Sequence, residues 1–198
     1  STPGLWTINK CSNNSCGMLW LNPAPLEEEI WKAYQNYHTH SDTNKKTISD
    51  HLISLISRLT KLSLLPIFIL NGLHMQHRNL RTMFLGKSTG RLLDVGCGGG
   101  RFLKRMKKYG WKVEGNDFDN KVANEVINKY DIHVHSGDIR EIKFTDNSFD
   151  AITLSHTIEH LYSPLESIRR CHQLLKKGGK LIITTPNANS LSHQRYGA

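Results

Sequence analysis

Leu92-Leu93-Asp94-Val95-Gly96-Cys97-Gly98-Gly99-Gly100-Arg101-Phe102 joins an apolar run ending in an acid to glycines at alternate positions, then to a segment rich in Lys and Arg. Glycine lacks Cβ, so it adopts φ > 0 and lets a ligand approach the main chain closely. A strand feeding such a loop into a helix presents free N–H groups and the positive end of the helix dipole. The stretch therefore predicts strand, loop and helix in that order. It also predicts a nucleotide-like ligand, carrying a negative group, at the loop.

The spacing narrows the ligand. A dinucleotide fingerprint, G-x-G-x-x-G, needs a third glycine where Arg101 stands. The order here is D-x-G-x-G-x-G over Asp94, Gly96, Gly98 and Gly100, with Cys97 inside the loop. After a helix expected over 100–109, Lys112-Val113-Glu114-Gly115-Asn116-Asp117 reads as a short strand ending in an acid. Its position fits the roughly 20-residue spacing of a ribose-binding carboxylate, which can accept charge-assisted bonds from both hydroxyls. Asp117 is the candidate, with Phe118 beside it. Asp119 is a rival, and a plain turn aspartate is the alternative. Ile132–His135 reads as the next strand, running into Ser136-Gly137-Asp138-Ile139. Phe149–Leu154 follows from the turn cluster Thr145-Asp146-Asn147-Ser148. A helix from Leu165 to Lys176 is expected to stop at Gly178-Gly179, and Lys180–Thr185 is the fifth strand, closed by Pro186. Five strands alternating with helices imply right-handed crossovers and a parallel sheet, with the ligand at the carboxyl ends.

These residues resemble, in order and spacing, the class I S-adenosylmethionine-dependent methyltransferases of the type 11/12 group, over residues 86–190. D-x-G-x-G-x-G is similar to that family's motif I. The resemblance implies an α/β, Rossmann-like, mostly parallel sheet flanked by helices, with S-adenosyl-L-methionine as cofactor. It implies that the glycine loop touches the amino-acid end of that cofactor. It further implies that Asp138 accepts from the adenine amine and that Ile139 packs on the ring. An ordinary turn is the alternative for both. A complete fold of this kind has seven strands, yet only Asn187–Ala198 follow the fifth here. The expectation is therefore a domain lacking its C-terminal part, with an unpaired sheet edge.

His156-Thr157-Ile158-Glu159-His160 also matches H-x-x-E-H, a zinc-peptidase pattern. Zinc would need both histidines on one helical face, a third ligand and a water. The segment instead follows a buried strand directly, and Pro164 lies just beyond it. The same Glu-His pair followed by proline occurs in the methyltransferases this chain resembles. Methyl transfer asks the protein to orient a nucleophile and to take its proton where necessary. Ser155 and His156 are candidates to line the cofactor, and His156 lies near where the methyl group would project. His156 is the preferred base, with Glu159 and His160 as alternatives, since imidazole titrates near neutral pH. The opposing view has His156 packing on the cofactor while Glu159 and His160 cap or orient the next helix.

A chain of 198 residues, 38% apolar and 22% charged, can bury one good core. Its net charge of +9 draws partly on Lys104, Arg105, Lys107 and Lys108 on one helix. Such surfaces attract nucleic acid, anionic lipid or phosphorylated substrates, or are simply solvated. Nucleic acid is disfavoured, because Ser155-His156-Thr157-Ile158 lacks the Asn/Asp-Pro-Pro-aromatic cluster of enzymes that methylate base amines. Ile48–Leu73 is apolar but broken by Arg58, Lys61 and Pro66, so it reads as an amphipathic lid or flank rather than a membrane span. Peripheral membrane contact is the minority alternative.

The N-terminal region divides at residue 26. Residues 1–26 carry Cys11 and Cys16, a C-x4-C pair like half of a small zinc ribbon; two thiols are too few for a metal unless further ligands lie upstream. Residues 27–85 are expected to form a helical lid or flank; the resemblance implies an aromatic segment folded over the cofactor, with Tyr34 or Tyr37 donating to its carboxylate, and simple packing is the alternative. Residues 86–198 would hold the cofactor. A reducing, cytoplasmic setting is the default for isolated cysteines. The function expected is methyl transfer, at oxygen, to a small-molecule or glycan/lipid-intermediate acceptor. A non-catalytic cofactor- or partner-binding domain and an RNA methyltransferase are the competing readings. Oligomeric state stays open.

Overall fold

The computed structural model describes residues 5–13, 15–24, 26, 73–187, 190 and 195, and the chain divides into two compact units, 1–39 and 40–198. Tyr34, Tyr37 and nearly all of the amphipathic stretch Ile48–Leu73 lie outside the described residues.

In the first unit, β1 (Thr7–Lys10) and β2 (Leu19–Asn22) form an antiparallel pair with Thr7 opposite Asn22 and Lys10 opposite Leu19. The Cys11 N–H continues the ladder, donating to the Met18 carbonyl at 2.9 Å. Cys11 and Cys16, both free thiols, bracket the connecting turn.

The second unit is built on one sheet. Its elements are α1 (Leu73–Arg81), β3 (Arg91–Val95), α2 (Arg101–Lys108), β4 (Lys112–Asp117), α3 (Asn120–Tyr130), β5 (Val134–Ser136), β6 (Phe149–Ser155), α4 (Pro164–Leu174) and β7 (Leu175–Thr184). The order across the sheet is β5-β4-β3-β6-β7, and every pairing is parallel. From β3 the chain adds β4 and β5 to one side and then β6 and β7 to the other, so β3 and β6 flank the switch point at which such sheets open a crevice at their carboxyl ends.

Parallel strands need both faces covered, and the sequence supplies apolar residues at successive positions for that purpose. Register places Leu93 beside Ile152 and Leu92 beside Ala151. Leu93, Val95, Ile152 and Leu154 pack with Cys171 and Leu174 of α4. On the other side, Leu92 and Ala151 meet Met106 and Trp111, while Leu103, Ala123 and Val126 of α2 and α3 cover Val134.

Two expectations are corrected. The helix expected to run to Lys176 ends at Leu174, because Leu175 is already extended and pairs with Phe149. The glycines meant to stop that helix lie inside β7, where the pairing jumps from Phe149–Leu175 to Ala151–Lys180. Gly178, at φ +80°, lets the chain bulge there, and a Cβ on Gly179 would lie 2.9 Å from the Lys176 carbonyl oxygen. The third strand is also displaced, beginning at Val134 rather than Ile132. Ile132 is buried among Ala123 and Val126 instead of joining the ladder. Among the described residues, no helix is long and apolar enough to cross a membrane.

Candidate functional site

Four strand ends meet at one rim. β3 ends at Val95, and Gly96, Gly98 and Gly100 all take left-handed φ values of +72°, +49° and +67°. Gly100 caps α2 in that conformation. The loop is held from below by β4, since the Gly96 and Cys97 N–H groups both donate to the Asn116 carbonyl, at 2.8 and 3.0 Å. A Cβ at Gly96 would collide with the Thr157 side chain, and one at Gly100 would lie 2.6 Å from Val126 Cγ1. Gly98 and Gly99 face open space.

The β4 acid reaches this loop. The Gly98 N–H donates to Asp117 Oδ2 at 2.8 Å, and the Asp119 N–H donates to Oδ1 at 3.1 Å. Each carboxylate oxygen has a second lone pair, so Asp117 can still accept from ligand hydroxyls. Phe118 stands beside it, 63% exposed. Asp119, the rival acid, is otherwise used: its side chain accepts from the Lys121 N–H at 2.8 Å and caps α3.

Asp94 lies deeper, 4% exposed, accepting from the Thr153 hydroxyl at 2.6 Å. Burial raises its pKa to about 7, the Thr153 bond pulls against that, and the nearby Asp117 charge adds to it. Cys97 turns its side chain into the core with Leu103 and Val126, where burial holds the thiol far above its ordinary pKa. Only its main chain can therefore meet a ligand.

Asp138, after β5, is engaged by Arg140. The Arg140 N–H donates to Oδ1 at 2.8 Å, and its Nε and Nη2 donate to Oδ2 at 2.9 and 2.7 Å. Burial alone would raise this carboxyl, but the Arg140 bonds prevail and hold it below the usual carboxylate range. Ile139, expected on the adenine ring, is instead buried in the core with Leu93, Val95 and Phe149.

At the end of β6, Ser155 Oγ accepts from the Thr184 hydroxyl at 3.1 Å. His156 follows at φ +53°, a left-handed conformation that side chains rarely adopt, held by its N–H on the Thr184 carbonyl at 2.8 Å. The turn leaves its ring exposed, with Nδ1 3.8 Å from Glu159 Oε1. Glu159 Oε2 accepts from the Thr185 hydroxyl at 3.2 Å. Ile158–His160 is one 3₁₀ turn, so His156 and His160 do not share an α-helical face in the manner of a zinc peptidase. Among the described residues, no group of three or more His, Cys, Asp or Glu is placed to hold a metal ion.

Three positioning residues were not singled out from the sequence. Thr153 holds Asp94. Asn116 donates its side-chain amide to the His135 and Gly137 carbonyls at 3.2 and 2.8 Å, tying β4 to the turn after β5. Thr157 donates to the Val95 carbonyl at 3.1 Å and packs under Gly96. The available signal was a polar residue in an otherwise apolar run, for Thr153 within Ala151–Leu154; Asn116 stands in the mixed strand Lys112–Asp117, where nothing marks it out. Thr157 carries no such mark.

Comparison with known proteins agrees with this arrangement. The sequence profile of a family described as "Methyltransferase domain" matches residues 73–198. A ubiquinone biosynthesis O-methyltransferase of Coxiella burnetii is 30% identical over 129 residues, covering 63% of this chain and 54% of the relative. The chain thus spans about half the length of the curated relatives it matches. Among solved structures, an S-adenosylmethionine-dependent methyltransferase from Mesorhizobium loti aligns with a TM-score of 0.50 at 25% identity, over 55% of this chain and 51% of the other. Phosphoethanolamine N-methyltransferase 2 of Haemonchus contortus, solved with S-adenosyl-L-methionine, gives 0.50 and 25%, over 61% of this chain and 31% of the other. With more than half its residues matched and a parallel sheet of the same build, the chain belongs to the methyltransferase-domain family.

Proposed function

We propose that this protein binds S-adenosyl-L-methionine at the rim of β3, β4 and β6 and directs its methyl group to an oxygen of a small-molecule acceptor. The observation that carries the reading is the Asp117 carboxylate set against the Gly98 N–H, 2.8 Å away, beside open space over Gly98 and Gly99. That pairing offers a main-chain cradle and a ribose acceptor within one ligand's reach. The residues present suit the cofactor: uncovered glycine main chain, an acid with spare lone pairs and an exposed aromatic ring at Phe118.

The cofactor supplies a methyl group on a cationic sulfur that leaves as a neutral thioether. The chain's own residues orient and hold. Gly96, Gly98 and Gly100 present main chain where the amino-acid end would lie. Asp117 accepts from ribose hydroxyls, and Asp138 is the acceptor for the adenine amine. Ser155 and His156 border the methyl-transfer position. His156 takes the acceptor's hydroxyl proton on its exposed ring, with Glu159 oriented toward Nδ1. Glu159 and His160 are the alternative bases. Methylation at oxygen is favoured by the named relative, an O-methyltransferase of ubiquinone biosynthesis.

Calorimetry with S-adenosylhomocysteine tests the binding half of this reading. Asp117→Ala is expected to weaken affinity by about 1.5–3 kcal/mol, the loss of hydrogen bonds to a charged acceptor. Unchanged affinity would remove Asp117 from the site. Transfer of a labelled methyl group to small-molecule hydroxyl compounds tests the chemistry. His156→Ala should then lower turnover about 100-fold or more without weakening S-adenosylhomocysteine binding. Equal turnover in that variant would discard His156 as the base.

A further inference from the structure

The region from residue 73 to 113 is charged in one sense. It contains ten Lys and Arg against one acid, Asp94, and that acid is buried in the sheet. Arg78, Arg81, Lys87, Lys104, Lys107 and Lys108 are all exposed. Arg105 Nη1 donates to the Arg81 carbonyl at 2.8 Å, joining α1 to α2. Among the described residues, none of Arg78, Arg81, Lys87 and Arg105 meets a carboxylate within ion-pair distance.

Set among these cations are large apolar side chains facing solvent. Leu80 is 65% exposed, Phe84 67%, and Met75 also lies open. Phe84 is displayed by backbone effort. Met83 and Phe84 take consecutive left-handed conformations, φ +49° and +62°, with no glycine at either place. The turn buries Met83 and sends Phe84 outward. Strain of this kind persists only where the surroundings enforce it. Here the Phe84 N–H donates to the Asn79 carbonyl at 2.7 Å, buried Thr82 donates its hydroxyl to the Arg78 carbonyl at 3.0 Å, and Trp111 Nε1 donates to the Gly86 carbonyl at 2.9 Å. The apolar tip is therefore rigidly presented rather than loosely hung.

We propose that α1 and the turn after it, Met75–Lys87, dock on an anionic phospholipid surface, with Leu80 and Phe84 entering the acyl boundary and the surrounding cations meeting the headgroups. Cations that surround exposed aromatic and aliphatic side chains match an interface that is negative outside and apolar just beneath. Phosphate contact with a nucleic acid would use the same cations but give Leu80 and Phe84 nothing to enter.

The test is sedimentation of the whole chain with vesicles of phosphatidylcholine alone or mixed equally with phosphatidylglycerol, which requires no methyl transfer and so fails or succeeds apart from the proposed function. Binding is expected to the mixed vesicles only, falling as salt is raised. Arg78→Glu with Arg81→Glu should weaken it by at least about fivefold for each charge lost. Leu80→Ser with Phe84→Ser should weaken it by about tenfold, and because both side chains are exposed, circular dichroism should show an unchanged fold. The proposal is overturned by no binding to mixed vesicles, by equal binding to neutral ones, by indifference to either pair of substitutions, or by tighter binding to RNA at equal phosphate concentration.

Discussion

Asp94 illustrates how a buried group can tie stability to pH. Its carboxyl is raised to about 7 by burial, against a value near 3.8 when the chain is open. Between those two values the folded protein holds a proton that the unfolded chain has released, so stability falls as pH rises through that window. The stabilisation is complete below about pH 4 and gone above the folded pKa. Asp94→Asn keeps the acceptor for Thr153 and removes the charge. It should match the parent below about pH 4 and exceed it at pH 8 by on the order of a few kcal/mol, read from denaturant midpoints; parallel pH curves would show that Asp94 is not the titrating group. The acid itself was legible in the sequence as the last polar residue before the glycines. Its partner was not, because Thr153 is 59 residues away and only the β3–β6 register brings them together. Glycines differ in the same way. Gly96→Ala is expected to lower the melting temperature, since a Cβ there strikes Thr157 at φ +72°. Gly98→Ala meets open space and carries only left-handed strain of about 1–2 kcal/mol, so its main effect should be on S-adenosylhomocysteine affinity by calorimetry. Equal melting losses would contradict this division of roles.

Elements were legible in proportion to how locally they are specified. β3, β4, β6 and α2 sit where apolar runs, glycines and the Lys- and Arg-rich stretch placed them, because neighbours along the chain decide them. The end of α4 was misplaced because Gly178-Gly179 has the chemistry of a helix stop, while the tertiary pairing of Leu175 with Phe149 ends the helix sooner. The same pairing makes those glycines a bulge. α3 begins where a local signal is strong: Asp119 in an extended conformation with its carboxylate on the Lys121 N–H. Asp119→Ala should therefore destabilise the domain by about 1 kcal/mol in a thermal or denaturant melt. Affinity for S-adenosylhomocysteine should be retained, because the main-chain bond from Asp119 to Asp117 survives the substitution. A variant that melted normally but lost affinity would restore Asp119 as the ribose acid.

For the molecule as a whole, the sheet is the frame that sets the four rim segments in place, and its integrity depends on a few residues that belong to several elements at once. Phe149 opens β6, is fully buried, and packs with Leu93 of β3, Ile139 of the connection after β5 and Leu174 of α4. The Phe144 ring meets it edge-on with centroids 5.5 Å apart, and the Arg91 guanidinium lies 4.7 Å from its centroid. Its carbonyl also flanks the β7 bulge, 3.2 Å from where a Gly179 Cβ would stand. Little can collapse into the space that this ring fills, because strands hold two sides of it and a helix a third. Phe149→Ala should accordingly fall at the full cost for a buried aromatic, about 3–5 kcal/mol, a large part of the roughly 5–15 kcal/mol by which domains of this size are stable. The denaturant midpoint should drop with its slope unchanged, and S-adenosylhomocysteine should recover part of the loss by binding only the folded form. A fall of less than about 1 kcal/mol would mean that β6 and α4 close over the gap, and that the rim is not held through this residue.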